Sequence, residues 1–302
     1  MTYGLLAALS WGVATLGAAM AARRIGAFRT VVIGEATGLT GLFALFLLGH
    51  FSLRGVGPVA WLLLLAGIVG VGGYLALYRG LESGHVGLVS AISASYGGII
   101  AVLSVLLLGE RLSMAATVGI TITVAGVILA SGRGHTGGAA AQAPRARAPG
   151  IAFGLLAALC YGVGGFLLGR YARDLGWLVP VVVARTGAMV LLLGLLATPL
   201  RRSSTQRLAP GLAWAVGAGL ADVAGVVFFV RGDQVGLVAI TAAVSSAYPL
   251  IPLIGGLVLL RERMVGLQAG GAVLILAGLV LLGAGSLGRR PMMDGWQLKR
   301  RT

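Results

Sequence analysis

Long apolar runs broken by short polar interruptions dominate this chain. Stretches such as "VLSVLLLG" and "VLLLGLLA" are apolar on every side, whereas a membrane-spanning β-strand alternates apolar and polar positions over about ten residues. A helix needs about 20 apolar residues to cross roughly 30 Å of hydrocarbon. Runs of that length, bounded by Arg, Pro or polar clusters, predict ten transmembrane helices. They lie at 3–22, 30–49, 58–78, 85–108, 114–131, 151–169, 177–199, 210–230, 235–260 and 265–285. The expected fold is therefore an all-α integral membrane bundle.

The pattern is written twice. "GLLAALSWG" at 4–12 returns as "GLLAALCYG" at 154–162. At a shift of 152, "RGLESGHVGLVSAISASYGGI" at 79–99 lies over "RGDQVGLVAITAAVSSAYPLI" at 231–251, and Glu110 and Arg111 meet Glu262 and Arg263. Polar letters in register exclude an accident of composition. The reading is a first five-helix copy at 1–131, a linker at 132–149 rich in Gly, Ala, Pro and Arg, a second copy at 150–286, and a basic tail at 287–302. Because five is odd, the second copy must lie inverted in the membrane. Inverted copies offer two packings of similar energy, one open to each side, and that is the basis of alternating access.

Composition narrows the class further. Of 302 residues, 58% are hydrophobic and 10% charged, with mean hydropathy +0.99, which excludes a water-soluble domain. The first helix has no basic segment before it and is expected to serve as its own targeting signal. The formal charge of +15 sits in connections and in the tail, where anionic lipid headgroups, and not nucleic acid, are the expected partner. Cys160 is the sole cysteine; with His50, His85 and His135 scattered, no metal site is expected. "GVGG" follows no strand and marks helix packing, not a nucleotide loop. No cofactor and no enzymatic activity are expected, since carboxylates, His and Cys do not cluster.

Ten helices, a tandem repeat, an aromatic and Gly in the first helix of each copy, and "LLLGERLS" at 106–113 with "SSAYPLIPLIGGLVLLRERM" at 245–264 resemble the EamA-type branch of the drug/metabolite transporter superfamily. The first copy departs from the pattern with Gly97 where the second has Pro249. The resemblance implies a central cavity lined by helices one to four and six to nine, with the fifth and tenth at the periphery or at a dimer contact, so that a monomer or homodimer is expected. It implies no single substrate.

Charges inside apolar spans are the sharpest functional clue, because each costs about 2.5–3.5 kcal/mol at mid-bilayer on insertion scales. Glu35 in "VVIGEATGL" and Arg185 in "VVVARTGAM" hold matching positions in the two copies. Together they suit the two ends of a zwitterion. They suit equally a structural ion pair or two groups snorkelling to the surface. Asp222 in "GLADVAGVVFF" has no basic residue near it in sequence and, with Glu35, is the candidate proton carrier. No acid lies in the first span. Trp11, Tyr74, Tyr96, Tyr161 and Tyr248 can line a cavity or simply pack, with Ser93, Ser95, Ser245 and Ser246 at the same depth. Pro249 and Pro252 free backbone carbonyls that either bind ligand or mark a kink. Arg79 and Arg231 read as interfacial anchors.

The function expected is a secondary transporter exporting an amino acid or similar polar metabolite. The alternatives are a multidrug or cationic-compound exporter and a structural or signalling membrane protein without flux. Basic residues divide almost evenly between the two sides, so the positive-inside rule barely orients the chain. The basic tail and the resemblance favour cytoplasmic termini in a bacterial inner membrane.

Overall fold

The computed structural model describes residues 1–49, 51–82, 89, 92–130, 148–197, 208–251 and 266–287. The linker core, the basic tail, Glu262, Arg263, Pro252 and the three histidines lie outside them. Among the described residues the chain is helical: α1 (Thr2–Ile25), α2 (Ala27–Leu48), α3 (Ala60–Glu82), α4 (Tyr96–Leu108), α5 (Met114–Ala130), α6 (Ala148–Leu175), α7 (Leu178–Leu196), α8 (Ala209–Val235), α9 (Val238–Ser245) and α10 (Gly266–Leu287). Six helical stretches among them are long and apolar enough to cross a membrane: Thr2–Ile25, Ala27–Leu48, Gly57–Gly80, Ala152–Leu175, Leu178–Leu196 and Gly211–Val235. The protein is a multi-pass membrane protein.

What distinguishes the two faces of a helix here is residue size. Along α1, Ala7, Ala14, Ala18 and Ala21 are buried while Leu5, Leu9 and Val13 are exposed. Small residues let backbones approach, and large apolar ones face lipid at no cost. The glycines show how close the approach is. A Cβ on Gly187 of α7 would lie 2.6 Å from the Leu64 carbonyl oxygen of α3, and one on Gly219 of α8 would lie 2.6 Å from the Gly34 carbonyl oxygen of α2.

Each helix packs chiefly on helices of the other half: α1 on α8, α3 on α6 and α7, α2 on α8 and α7, α4 on α9, and α5 on α10. The turns correspond too. Gly26 joins α1 to α2 at φ 85° and Gly176 joins α6 to α7 at φ 80°. A left-handed backbone at a one-residue or two-residue connection is the setting in which glycine costs least.

Two expected spans are interrupted where the sequence predicted continuity. The span expected at 85–108 breaks at Ser95, just before α4, and the one expected at 235–260 breaks after Ser245, at the end of α9. Both breaks tighten to i→i−3 bonding: Ser95 N–H donates to the Ile92 carbonyl at 3.2 Å, and Tyr248 N–H donates to the Ser245 carbonyl at 3.2 Å. Serine hydroxyls take further carbonyls, Ser95 that of Ile92 (2.6 Å), Ser245 that of Ala242 (3.0 Å) and Ser246 that of Ala243 (2.7 Å). The carbonyl that Pro249 deprives of its usual partner is thus satisfied from within the chain, and the break is a kink and not an open ligand-binding edge. The other differences are at ends: α6 starts at Ala148 and runs to Leu175, and α8 runs on to Val235.

Candidate functional site

Helices of both halves enclose a cavity of about 170 Å³, which is comparable to the roughly 150 Å³ that admits a benzene-sized molecule. Its wall draws on α1, α2, α3, α4, α6, α7 and α8, and on Tyr248 just after α9. The charged candidates meet there. Arg185 of α7 lies with one guanidinium nitrogen 2.6 Å from Glu35 Oε1 of α2, while another donates to Asp222 Oδ2 of α8. Tyr74 of α3 donates to Asp222 Oδ1 at 2.6 Å, and the Arg185 guanidinium lies 6.0 Å from the Tyr74 ring centre. Asp222 therefore has a basic partner, though one that its own sequence neighbourhood does not reveal.

The charge arithmetic is unequal. Two carboxylates share one guanidinium, so the fully ionised group is one negative charge in excess. Glu35 is 4% exposed, and among the described residues its Oε2 has no hydrogen-bond partner. Asp222, at 16%, is the most open of the three. A buried charge without a full set of partners is costly, and the group gains stability from whatever cation or proton completes it.

Aromatic rings, among small and aliphatic residues, shape the rest of the wall. Trp11 meets Tyr96 edge-on at 6.1 Å and Phe229 at 5.5 Å, and Tyr161 meets Tyr74 at 5.4 Å and Tyr96 at 6.3 Å. Both first-helix aromatics sit over a glycine of the opposite half: a Cβ on Gly225 would fall 2.6 Å from Trp11 Cδ1, and one on Gly73 would fall 2.7 Å from Tyr161 Cε1. The serines and the two later tyrosines pair with each other. Tyr96 Oη lies 2.9 Å from Ser245 Oγ, and Tyr248 Oη lies 3.2 Å from Ser93 Oγ. Trp11, Glu35, Tyr74, Tyr96, Tyr161, Arg185, Asp222 and Tyr248 thus line one cavity, with Ser93 and Ser245 fully buried behind two of its tyrosines. Tyr78, Phe229 and Cys160 line it too.

One polar cluster was not anticipated. Glu110, in the "LGERL" segment, accepts from Val238 N–H (2.9 Å) and Ala239 N–H (3.1 Å) at the start of α9, and from Arg173 of α6 at 3.2 Å. Asp233, fully buried, stands beside it. The sequence placed Asp233 in a loop beyond an eighth helix ending at 230, and the extra turn of α8 is what buries it. Arg79 is exposed, as an anchor would be, and Arg231 is half-buried and donates to Gln234.

The model of the EamA-like transporter family matches residues 1–132 and again 148–284. The chain belongs to the EamA-like transporter family. This places it in the drug/metabolite transporter superfamily and points to a membrane transporter of that type rather than an enzyme. Among curated proteins no match is found. Among solved structures, one titled only "Crystal structure of protein" superimposes with a TM-score of 0.72 over 95% of this chain and 98% of its own, at 22% identity, and supports the EamA-like fold alone. Both stretches that match the family model contribute to the cavity wall, Trp11 to Ile100 from one and Cys160 to Tyr248 from the other.

Proposed function

We propose that the chain is a secondary active transporter that exports an amino acid or a similar small polar metabolite by alternating access between two inverted halves. The single observation that carries this is the Glu35–Arg185–Asp222 group, which joins the two halves inside the cavity. A ligand-free ion pair of this kind stands in for the ligand: a substrate carboxylate takes Arg185, a substrate ammonium takes Glu35 or Asp222, and the direct pairing reforms on release. A proton and the ligand ammonium compete for the excess carboxylate, each displacing the other, and that competition couples export to protons.

The inverted arrangement of the halves is supported by matched contacts: Trp11 over Gly225 and Tyr161 over Gly73, Tyr96 with Ser245 and Tyr248 with Ser93, Gly26 and Gly176 at equivalent turns. Cytoplasmic termini in a bacterial inner membrane, and a monomer or homodimer, complete the reading.

A second reading has its own support. Net negative charge within aromatic walls also suits organic cations, through cation–π contact. Reconstitution into proteoliposomes decides between them. Counterflow of labelled amino acids, stimulated by an imposed pH gradient, is the expected result. Exchange of organic cations alone would favour the second reading, and no exchange of either class would point to a membrane protein without flux.

A further inference from the structure

The cluster around Asp233 has no place in the transport cycle just described. Asp233 lies on the last turn of α8, 0% exposed, and among the described residues neither of its carboxylate oxygens has a partner within hydrogen-bond geometry. Every element packed against it can be searched for a counter-charge. From α6, Gly169 presses so close that a Cβ there would lie 2.6 Å from Asp233 Oδ2. Arg173, also on α6, spends its donors elsewhere: Nε points to the Asp233 backbone carbonyl (3.4 Å), and Nη2 to the Gly236 carbonyl (2.6 Å) and Glu110 Oε1 (3.2 Å). From α9, the Thr241 hydroxyl faces the carboxyl and lies 3.2 Å from the Leu237 carbonyl, to which it also donates. From the segment after α4 comes Glu110, a second acid, and from α4 itself Tyr96 lies within electrostatic range.

Glu110 accepts three N–H donors, the surroundings of a carboxylate. Asp233 accepts none from the described residues and sits, fully buried, beside that negative charge. A neutral carboxyl resolves both difficulties, since its O–H can donate to Thr241 Oγ1, which still has free lone pairs.

We infer that Asp233, with Glu110 and Arg173, forms a second proton-binding site at the α8–α9 elbow, separate from the Glu35–Arg185–Asp222 group. Asp222 and Asp233 are eleven residues apart on one helix, about 16 Å at 1.5 Å per residue. One α8 therefore bears an acid in the cavity and another at its end. A proton at the end acts on the elbow without competing with ligand. When it leaves, the guanidinium of Arg173, whose side chain is 43% exposed, is drawn from Glu110 towards Asp233 and loosens the grip of Glu110 on the start of α9.

Infrared difference spectroscopy of the purified full chain in lipid, titrated in pH, tests this. A protonated, dry carboxyl band is expected that is absent in Asp233→Asn and present in Asp222→Asn. Its titration midpoint should move to lower pH in Glu110→Gln, where the neighbouring negative charge is gone, and to higher pH in Arg173→Gln. The two opposite shifts keep the test decisive even if Asp233→Asn fails to assemble. A band unaffected by all of these changes would overturn the site. So would thermal stabilisation by sodium over choline chloride that depends on Asp233, since that would make the ligand a metal cation.

Discussion

Two acid clusters in this molecule have the same composition and opposite construction. Each holds two acidic side chains and one arginine. In the cavity, Arg185 divides its guanidinium between Glu35 and Asp222, and nothing but side chains holds the three together. At the elbow, Arg173 and Glu110 are tied to backbone: the arginine to two carbonyls, the glutamate to two N–H groups at the start of α9. The difference teaches what each can do. Side chains that bind only each other can be parted by a ligand of matching charge, with no secondary structure lost. A carboxylate that caps a helix leaves backbone N–H groups without a partner when it goes, which weakens the first turn. Under the proposed function the first cluster exchanges partners and the second holds an elbow.

The sharpest way to break this contrast is Arg185→Met. It strands two buried carboxylates, which should cost about 3–5 kcal/mol of stability and abolish transport. Thermal unfolding in detergent reads the first effect and counterflow the second. Adding Glu35→Gln and Asp222→Asn to Arg185→Met should restore assembly without restoring transport; wild-type flux in the single variant would remove the site.

Next in size is Gly187→Leu, which forces α3 from α7 beside Arg185 and should cost about 1–3 kcal/mol by overpacking, read as a lowered unfolding temperature. Asp222→Asn leaves the Glu35–Arg185 pair but removes the excess charge, so flux should become nearly independent of the pH gradient while the protein stays folded. Tyr74→Phe removes only the 2.6 Å hydrogen bond to Asp222 and should weaken substrate binding on the order of tenfold, as expected for a hydrogen bond to a charged group. The smallest effect should follow Glu110→Gln, about 1 kcal/mol for a weakened helix cap. Hydrogen exchange should rise in α9 while transport persists.

The class of fold was legible because lipid imposes length: runs of about 20 apolar residues have few other readings. The charged candidates were legible because charge inside such a run is rare, and Glu35, Arg185 and Asp222 were singled out that way. Their geometry was not. That Arg185 serves both acids depends on α2, α7 and α8 meeting at one depth, and sequence spacing within each helix does not express this. The break at Ser95 was hidden for a related reason, whereas Pro249 offers a kink as one reading of the segment after Ser245. An apolar run reads the same whether straight or kinked, and serine hydroxyls replace the lost bonds without a signal in hydropathy. Asp233 was missed because a polar letter near the end of an apolar run marks a loop more often than another turn of helix.

Cys160 offers the most direct test of the central claim, since the one cysteine of the chain lines the cavity beside Tyr161. Its rate of alkylation by a small thiol reagent should fall when saturating substrate occupies the cavity, and this protection should disappear in Glu35→Gln with the protein still folded. An alkylation rate indifferent to a substrate that the protein demonstrably transports would place the ligand elsewhere and contradict the account.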